Sequence, residues 1–429
     1  MKRLLSLLIC VFVLLSSCLL FSFAAAAEEA VVYVKDGGTG DGSSASSPLG
    51  TLDAALQAIA STGGTVKVVE AVTLAGNTAA TAEVDTYYAE PAHTRRITIT
   101  SADPANKAKL IFPAACQWYA LSGPTVFEEI GLVDNAETFV RILGRGHHVT
   151  MGEGLEMYFG ETLQTPSDVS AGSMKGFTVI GITNVGAEYD GYLASDTKIT
   201  VKSGVYYLIQ AYTRNFTAAG DLTGNAYVEI LGDIAVRQIG LASLKKGHTC
   251  SGQAYLYWAA QVIAYWVFPG YDSAAEPFTA NFFLADGADF RKDTDPTATQ
   301  KLVGAGKVKT LNIWHDTSAS ATALADHFKS TYSITQADGS VNQAALADYN
   351  GPAYRIPADP APLENTGTGT DTGTGTSTGT GTDTGTGTET GTGTGTGTAP
   401  NTGDGFLCAA AAAVLALAGA LVFRKKARG

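Results

Sequence analysis

Short stretches of alternating apolar and polar residues recur along the middle of this chain at a nearly constant spacing. Thr197–Val201 is followed 29 residues later by the first of three segments that begin 28 residues apart, each after a small polar turn: Ala226–Ile230, Ala254–Trp258 and Phe282–Asp286. Alternation of period two predicts β-strands. A fixed period of this size without helices is typical of stacked β-coils, in which each coil buries its apolar face against the next.

The alternation also predicts which side chains point into the stack. One inward column is predicted to contain Ile199, Val228, Leu256 and Leu284. A second inward column is predicted to contain Val201, Ile230 and Trp258. This second column is interrupted at Asp286, which predicts that the stack ends there.

Further elements are predicted on both sides of the repeat. The pattern predicts strands at Val31–Lys35, Thr65–Val69, Arg96–Thr100, Thr125–Ile130 and His148–Met151. It predicts a one-faced helix over Leu52–Ile59, which Thr51 can cap and Gly63–Gly64 can end. A second short helix is predicted over Ala321–Lys329, near the other end of the stack.

The order strand, Gly-rich loop, short helix and strand at residues 31–69 resembles the N-terminal cap of right-handed parallel β-helix proteins of the pectate-lyase-like superfamily. The resemblance implies an all-β fold, with residues 28–362 forming one elongated right-handed parallel β-helix and the helix covering its first coil. Asp36 and Asp41 in the loop are candidate Ca²⁺ ligands, although turn residues of this type more often bond their own backbone.

The two ends of the chain predict export. Lys2 and Arg3 precede an apolar run and an A-x-A-type site, which predicts a signal peptide over residues 1–27, cut after Ala27. The alternative is a lipobox at Leu15–Cys18 that would make Cys18 a lipidated N-terminus. Residues 363–398, nearly all Thr and Gly, have nothing apolar to bury and are predicted to be a disordered stalk.

The C-terminal segment combines a short motif, an apolar run and a basic tail. The motif is Ala399, Pro400, Asn401, Thr402 and Gly403; a transmembrane helix is predicted over residues 404–423 and a cytoplasmic tail over 424–429. This order resembles the LPxTG-like sorting signal of Gram-positive cell-wall proteins, with Ala399 in place of the usual Leu. The resemblance implies cleavage after Thr402 by a sortase and attachment to peptidoglycan. The alternative is a plain membrane anchor with the body outside.

Charge and cysteine content narrow the partners. The formal net charge of −12 argues against nucleic acid as a partner. Cys116 and Cys250 are the only cysteines between the predicted leader and the predicted span, too few for a disulfide framework. No cysteine and histidine spacing typical of a metal site is present, so the sequence predicts no cofactor apart from the Ca²⁺ candidate.

Outward positions of the repeat carry aromatic residues that are candidates for binding a ligand. They are Tyr227, Tyr255, Tyr257 and Phe283, and Tyr265, Trp266, Phe268 and Tyr271 follow nearby. Exposed rings one strand spacing apart, about 4.8 Å, would form a platform for sugar rings. The alternative is that the rings stack only to stabilise the coils.

No catalytic group is predicted. Glu128 and Glu129 are neighbours on a predicted strand and point to opposite faces, and Glu153 with Glu156 is a weaker carboxylate pair. Neighbouring histidines at 147 and 148 diverge in the same way. A lyase would need clustered carboxylates and a base, for which Asp134, Arg141 and Arg145 are the candidates.

Taken together, the sequence predicts an extracellular, wall-anchored display protein that is adhesin-like or binds glycans. Its predicted partners are sortase, peptidoglycan and a glycan ligand, and the membrane before processing. The alternative is a surface-anchored carbohydrate-active enzyme of the same fold, either a polysaccharide lyase or a glycosidase. A third hypothesis is a purely structural surface-layer component.

Overall fold

The structure is a computed structural model that describes residues 29–78, 87–135, 139–169, 176–182, 195–212, 221–242, 249–270, 278–291, 308–335 and 340–351. These residues belong to one compact unit, Met1–Gly367. The predicted signal peptide, stalk, sorting motif, transmembrane helix and basic tail lie outside the described residues.

The described chain is mostly β-structure with two α-helices, α1 (Leu52–Ile59) and α2 (Ala319–Thr335). The strands in chain order are β1 (Val31–Val34), β2 (Gly64–Val68), β3 (Ala71–Thr73), β4 (Tyr88–Ala89), β5 (Ile97–Ser101), β6 (Lys109–Phe112), β7 (Trp118–Ala120), β8 (Thr125–Phe127), β9 (Gly131–Asp134), β10 (Phe139–Leu143), β11 (His148–Met151), β12 (Glu156–Phe159), β13 (Thr162–Leu163), β14 (Gly176–Ile182), β15 (Thr197–Val201), β16 (Val205–Tyr212), β17 (Asp221–Leu222), β18 (Ala226–Ile230), β19 (Ile234–Ala242), β20 (Thr249–Cys250), β21 (Gln253–Trp258), β22 (Gln261–Gly270), β23 (Phe278–Leu284), β24 (Asp289–Arg291), β25 (Val308–His315) and β26 (Ser340–Ala345).

The chain distributes these strands over three main sheets that it visits in turn. The first sheet has the order β1-β2-β5-β8-β11-β15-β18-β21-β23-β25-β26, and the second has the order β24-β22-β19-β16-β14-β10-β7-β4. The third sheet is β13-β12-β9-β6-β3. Strands pair in parallel with those of the coils before and after, the exception being the antiparallel pair β12 and β13. This all-β architecture of long parallel sheets is compatible with a parallel β-helix.

The inward side chains form a continuous core between the sheets. The register pairs Ile199 with Val228 and Val228 with Leu256, and all three are buried, as predicted. The next partner of Leu256 is Phe282, so the prediction that Leu284 would occupy this column is wrong. Leu284 instead pairs with Trp258, two residues along the strand. A shift of two residues preserves the faces of a strand, and this is why burial was predicted correctly and register was not.

The stack continues beyond the position where the sequence predicted its end. Leu284 extends the second inward column past Trp258, and β25 and β26 then add two more strands to the first sheet. Asp286 lies in the turn after β23 and is exposed. It therefore does not interrupt the column, and the prediction that it would do so is wrong.

Both predicted helices are present. In α1 the Thr51 hydroxyl accepts a hydrogen bond from the Ala54 amide at 3.2 Å, and the buried face is Leu52, Ala55, Leu56 and Ile59. Gly63 and Gly64 follow with positive φ angles of 70° and 137°. Such angles favour glycine, so the helix ends where the sequence predicted.

Helix α2 is longer than predicted and covers the core near the last strands. The Phe328 ring lies edge-on to Phe282, with 5.1 Å between ring centroids, and contacts Trp258 at 5.9 Å. All three side chains are buried. The helix thereby keeps water from the inward face of the last coils.

A matched pair of leucine truncations tests the stacked core. Leu256 is fully buried, whereas Leu163 is 45% exposed. We expect Leu256→Ala to lower the free energy of unfolding by about 2–5 kcal/mol, because it removes buried surface and leaves a cavity. Leu163→Ala should change it by less than about 0.5 kcal/mol. Urea denaturation measures both, and equal effects would show that the stacked core is not the source of stability.

Candidate functional site

The predicted aromatic ladder forms a stack, but most of it is buried. The rings of Tyr227 and Tyr255 are 4.8 Å apart and within 9° of parallel, and those of Tyr255 and Phe283 are 6.3 Å apart. Tyr227, Tyr255 and Phe283 are 7%, 3% and 0% exposed, and Tyr257 is half-buried. The expectation that these rings form an exposed platform is therefore corrected. Their role in binding a ligand stays a prediction.

The end of the described chain contributes to this burial. Tyr349 packs its ring edge-on against Phe283 and Trp314, with centroid distances of 4.9 Å in both cases. Leu346 packs against the same cluster. The sequence pattern gave no sign of this cover, because Leu346 and Tyr349 lie outside the repeat.

An open cleft lies on the outer side of the second sheet. It is shallow and open to solvent, and its lining includes Phe159, Gln164, Asp168, Tyr207 and Arg237. Strand β12 and the short 3₁₀ helix Pro166–Asp168 form one wall, and strands β16 and β19 form the other. Four aromatic residues, which include the buried Phe177 and Tyr206, and three polar residues therefore line one concave site.

The guanidinium group of Arg237 is held between two aromatic rings. Its central carbon lies 5.0 Å from the Tyr207 ring centroid and 5.0 Å from that of Trp266. Tyr207 is in β16, Arg237 in β19 and Trp266 in β22, which are successive strands of the second sheet. Contacts of a cation with ring faces fix the orientation of Arg237 beside the cleft. Only 7% of Arg237 is exposed to solvent.

The row of rings and arginines continues toward the start of the second sheet. Phe139 packs edge-on against Tyr207 at 5.3 Å, although β14 lies between their strands. Gly176 of β14 is the register partner of Phe139, and a Cβ atom there would lie 3.1 Å from the Tyr207 Cβ. The missing side chain of Gly176 thus leaves room for the two rings to meet. Arg141 then lies over the Trp118 ring at 4.5 Å.

The polar wall of the cleft is ordered by local hydrogen bonds. One carboxylate oxygen of Asp168, Oδ2, accepts bonds from the Thr165 amide and hydroxyl, both at 2.7 Å. The side-chain nitrogen Nε2 of Gln164 donates to the Thr162 backbone carbonyl at 3.3 Å. Asp168 and Gln164 are exposed or half-buried, so both can also reach a ligand.

The sequence did not identify this cleft. The second sheet carries its own repeat, in which Leu208 pairs with Gln238 and Gln238 with Trp266, at intervals close to those of the first sheet. This register places Trp266 opposite Gln238 and not opposite Arg237, so comparing positions across these intervals would not by itself have found the ring row. Of the aromatics predicted nearby, Trp266 is in the row, and the side chains of Tyr265, Phe268 and Tyr271 lie outside the description.

The structure brings together Glu129 and Glu156, which is neither of the carboxylate combinations considered from the sequence. Lys107 Nζ lies 3.5 Å from a carboxylate oxygen of Glu129 and 3.4 Å from one of Glu156. The Tyr158 hydroxyl donates to Glu156 at 2.5 Å. Glu129 has a positive φ of 47°, which the alternation could not predict. Because Lys107 lies between the two carboxylates, this cluster is an ion-paired link between coils of the third sheet.

The other candidate catalytic residues do not form a common site. Arg141 is packed on Trp118, Asp134 is fully buried in β9, and Arg145 occupies a turn with φ of 50°. His148 bonds the Thr200 hydroxyl at 2.9 Å, which in turn donates to Glu229 at 3.2 Å. Thr200 is only 5% exposed, so a substrate cannot reach its hydroxyl.

Both Ca²⁺ candidates accept hydrogen bonds from the protein itself, Asp36 from the distant strand β3 and Asp41 from its own turn. Asp36 accepts hydrogen bonds from the Thr73 amide at 3.0 Å and from its hydroxyl at 2.7 Å. Asp41 accepts from the hydroxyl and amide of Ser43, and these bonds lower its pKa to about 2. Within the described residues, no three histidine, cysteine, aspartate or glutamate side chains are grouped to hold a metal.

A buried polar cluster that the sequence did not reveal lies between β4 and β8. The Glu90 carboxylate accepts hydrogen bonds from the Tyr119 hydroxyl at 2.8 Å, the Ser122 amide at 3.0 Å and the Thr125 hydroxyl at 2.9 Å. His93 Nε2 lies 3.0 Å from the same carboxylate. Glu90 and His93 are 4% and 5% exposed, so this is an enclosed ion pair.

The charged form of His93 is stabilised by acceptors on both sides of the ring. Its Nδ1 lies 2.8 Å from the Arg95 carbonyl oxygen and its Nε2 faces Glu90, so a ring that donates from both nitrogens satisfies both acceptors. Burial alone disfavours the charged ring, but the hydrogen bond and charge of Glu90 outweigh it and raise the pKa of His93. In contrast, burial lowers the pKa of the nearby His147 to about 4.

Comparisons with protein-family models, curated proteins and solved structures found no match for this chain. Function must therefore be inferred from the chemistry of the sites. Among the described residues, no helix is long and apolar enough to cross a membrane. The predicted span at residues 404–423 lies outside that part of the chain.

The two histidines should affect the pH dependence of stability in opposite windows. The raised pKa of His93 means that its ion pair contributes fully below about pH 6.5 and is lost as pH rises through the folded-state pKa. We therefore expect the free energy of unfolding of the wild type to fall as the pH rises above about 6.5, and we expect this fall to be smaller in His93→Gln. His147 is neutral when folded, so His147→Gln should change the slope only below about pH 6.5.

Denaturant unfolding at a series of pH values measures both slopes. Comparing each variant with the wild type removes the contributions of the other titrating groups. If His93→Gln left the slope above about pH 6.5 unchanged, the ion pair with Glu90 would not be formed in solution.

Proposed function

We propose that this chain is an exported surface protein that binds carbohydrate through the cleft on its second sheet. We propose further that the body is a right-handed parallel β-helix and that α1 covers its first coil. The three parallel sheets and the packing of α1 against β1 and β2 support this architecture. Parallel crossover connections are almost always right-handed, which supports the handedness.

The observation that carries the proposal is Arg237 fixed between Tyr207 and Trp266 at the wall of a concave site. Sugar rings present an apolar C–H face that packs on aromatic side chains, here Tyr207 and Phe159. Their hydroxyl groups need a few placed polar partners, which Asp168 and Gln164 supply.

The chemistry supports binding better than catalysis. The two carboxylates closest to a pair suited to glycoside hydrolysis, Glu129 and Glu156, are both within 3.5 Å of Lys107 Nζ. The ammonium group occupies the space that the sugar would need between them. A carbohydrate-active enzyme is therefore the less favoured alternative.

The location and attachment of the protein are proposed from the sequence alone. A signal peptide at residues 1–27 supports export, and the Ala399–Gly403 motif followed by residues 404–429 supports sorting to the cell wall. The Thr- and Gly-rich residues 363–398 would act as a flexible tether between the wall and the body. The alternative remains membrane attachment through residues 404–423.

Binding of the full chain, purified in detergent micelles, to an array of immobilised oligosaccharides tests the main proposal. We expect wild-type protein to bind at least one carbohydrate and Tyr207→Ala to weaken this binding by about tenfold or more, because a stacked ring contributes about 1.5 kcal/mol. Tyr33→Ala is a matched control, since Tyr33 also packs with a cation, Lys67, but lies in β1 of the first sheet, outside the cleft lining.

Three results would contradict the proposal. One is binding to no carbohydrate, and another is equal loss of binding in Tyr207→Ala and Tyr33→Ala. The third is release of soluble fragments from the array, which would favour the enzyme. Unfolding midpoints of the variants show whether a loss of binding reflects a loss of fold.

Mass spectrometry of protein released from cell walls tests the attachment. Cleavage by a sortase should leave Thr402 as the last residue, linked to a peptidoglycan fragment. Thr402→Ala should abolish the linked form, whereas Thr398→Ala, just outside the motif, should leave it unchanged. An intact C-terminus in the wild-type protein would contradict wall attachment and favour a membrane anchor.

A further inference from the structure

A ladder of side-chain amides crosses the outer face of the first sheet toward its last strand. Asn281 donates to the Gln253 side-chain oxygen at 3.0 Å, and Asn312 donates to Asn281 at 3.0 Å. Asn342 of β26 then donates to Asn312 at 2.9 Å. Every rung uses an amide N–H to bond the oxygen of the rung before, so the ladder presents the Asn342 amide at the end of the sheet.

Within the described residues, strand β26 forms the edge of the first sheet and lacks the side chains that usually protect an edge strand. In the described part of the chain it pairs with β25, and no strand pairs with its other side. It is six residues long and contains neither proline nor a charged residue, and Ser340 and Asn342 are exposed. Natural edge strands usually carry such residues because a bare edge pairs readily with another strand.

The opposite edge of the same sheet is closed. The loop after β1 folds back and forms hydrogen bonds with this strand. The backbone N–H of Tyr33 donates to the Gly42 carbonyl, and the Tyr33 carbonyl accepts from the Leu49 N–H, both at 2.9 Å. The Lys35 amide donates to the Leu49 carbonyl at 3.0 Å. As far as the described residues show, the first sheet has one edge closed by its own loop and one edge, β26, without a strand beside it.

The next part of the chain is unsuited to cover β26. Prolines at positions 352, 357, 360 and 362 follow closely after the last described residue, Gly351. Proline has no N–H group to donate to a strand ladder. Two copies of a chain with net charge −12 repel one another over most of their surfaces. Strand β26 is uncharged, so two copies can approach through this edge without bringing like charges together. We therefore take the same edge of a second copy as its partner.

We propose that the open edge of β26 pairs antiparallel with the β26 edge of a second copy, around a twofold axis beside Asn342. An amide has two N–H hydrogens and an accepting oxygen, so Asn342 can bond Asn312 and also exchange hydrogen bonds with its symmetry mate. Because the other edge of the sheet is closed, the association stops at a dimer and does not continue into a fibre.

Helix α2 adds a second part to this interface. Gln343 of β26 donates to Asp326 of α2 at 2.9 Å, so the helix lies directly beside the strand. Asp326 and Lys329 are both exposed, and they carry opposite charges. An isologous interface brings the two copies of this helix toward each other, where Asp326 of one copy can approach Lys329 of the other.

Sedimentation velocity of the full chain in detergent micelles, across about two decades of concentration, tests the dimer. We expect the wild type to change from monomer to dimer and Asn342→Lys to raise the dissociation constant at least tenfold, because two ammonium groups would meet at the axis. Gln57→Lys is the matched control: it makes the same charge change at an exposed position in α1. It should associate like the wild type.

Hydrogen exchange identifies the surface involved. Backbone amides of β26 should exchange more slowly as the wild-type concentration rises, and those of Asn342→Lys should not. Unchanged protection of β25 in the variant shows that its fold is intact.

Several outcomes would overturn the proposal. They are a wild-type monomer throughout, equal association of Asn342→Lys and wild type, equal loss of association in Gln57→Lys, or larger assemblies that depend on Asn342. Comparison of variants that share residues 404–423 removes any association caused by that apolar segment. The outcome is independent of carbohydrate binding, so failure of one proposal leaves the other testable.

Discussion

Every part of this structure depends on the burial of inward side chains between successive coils. A single strand such as β18 has one apolar face and cannot shelter it alone; Val228 is buried because Ile199 and Leu256 lie on either side of it. The two helices matter for the same reason, since α1 and α2 pack against the first and the last strands of the stack. The outer surfaces are then free to carry side chains chosen for other purposes.

The outer faces of the first two sheets carry different arrangements of side chains. On the first sheet, rings and amides stack on their own kind and are largely enclosed, as in Tyr227 with Tyr255 and Asn281 with Asn312. On the second sheet, arginines alternate with rings, and the Tyr207 and Arg237 pair borders an open cleft. Stacking on a regular ladder therefore does not by itself indicate a ligand site. Access to solvent distinguishes the two faces.

Sequence reasoning succeeded where a local pattern carries the information. The limits of α1 and the inward positions of β15, β18 and β21 follow from residue spacing alone. It failed where the outcome depends on loop length, as in the two-residue displacement of Leu284. It also missed groups joined only by the fold, such as Glu90 and Thr125, which are 35 residues apart, and the cleft residues Asp168 and Arg237. The burial of Tyr255 likewise depends on packing by distant parts of the chain.

The position of Tyr349 has a mechanical consequence. Its ring packs edge-on against Phe283 and Trp314, and it follows β26 in the chain. A force transmitted from the C-terminal side therefore reaches this aromatic contact before it reaches the hydrogen bonds that join β26 to β25. The aromatic contact would thus bear part of such a force and protect the hydrogen bonds between the last two strands of the first sheet.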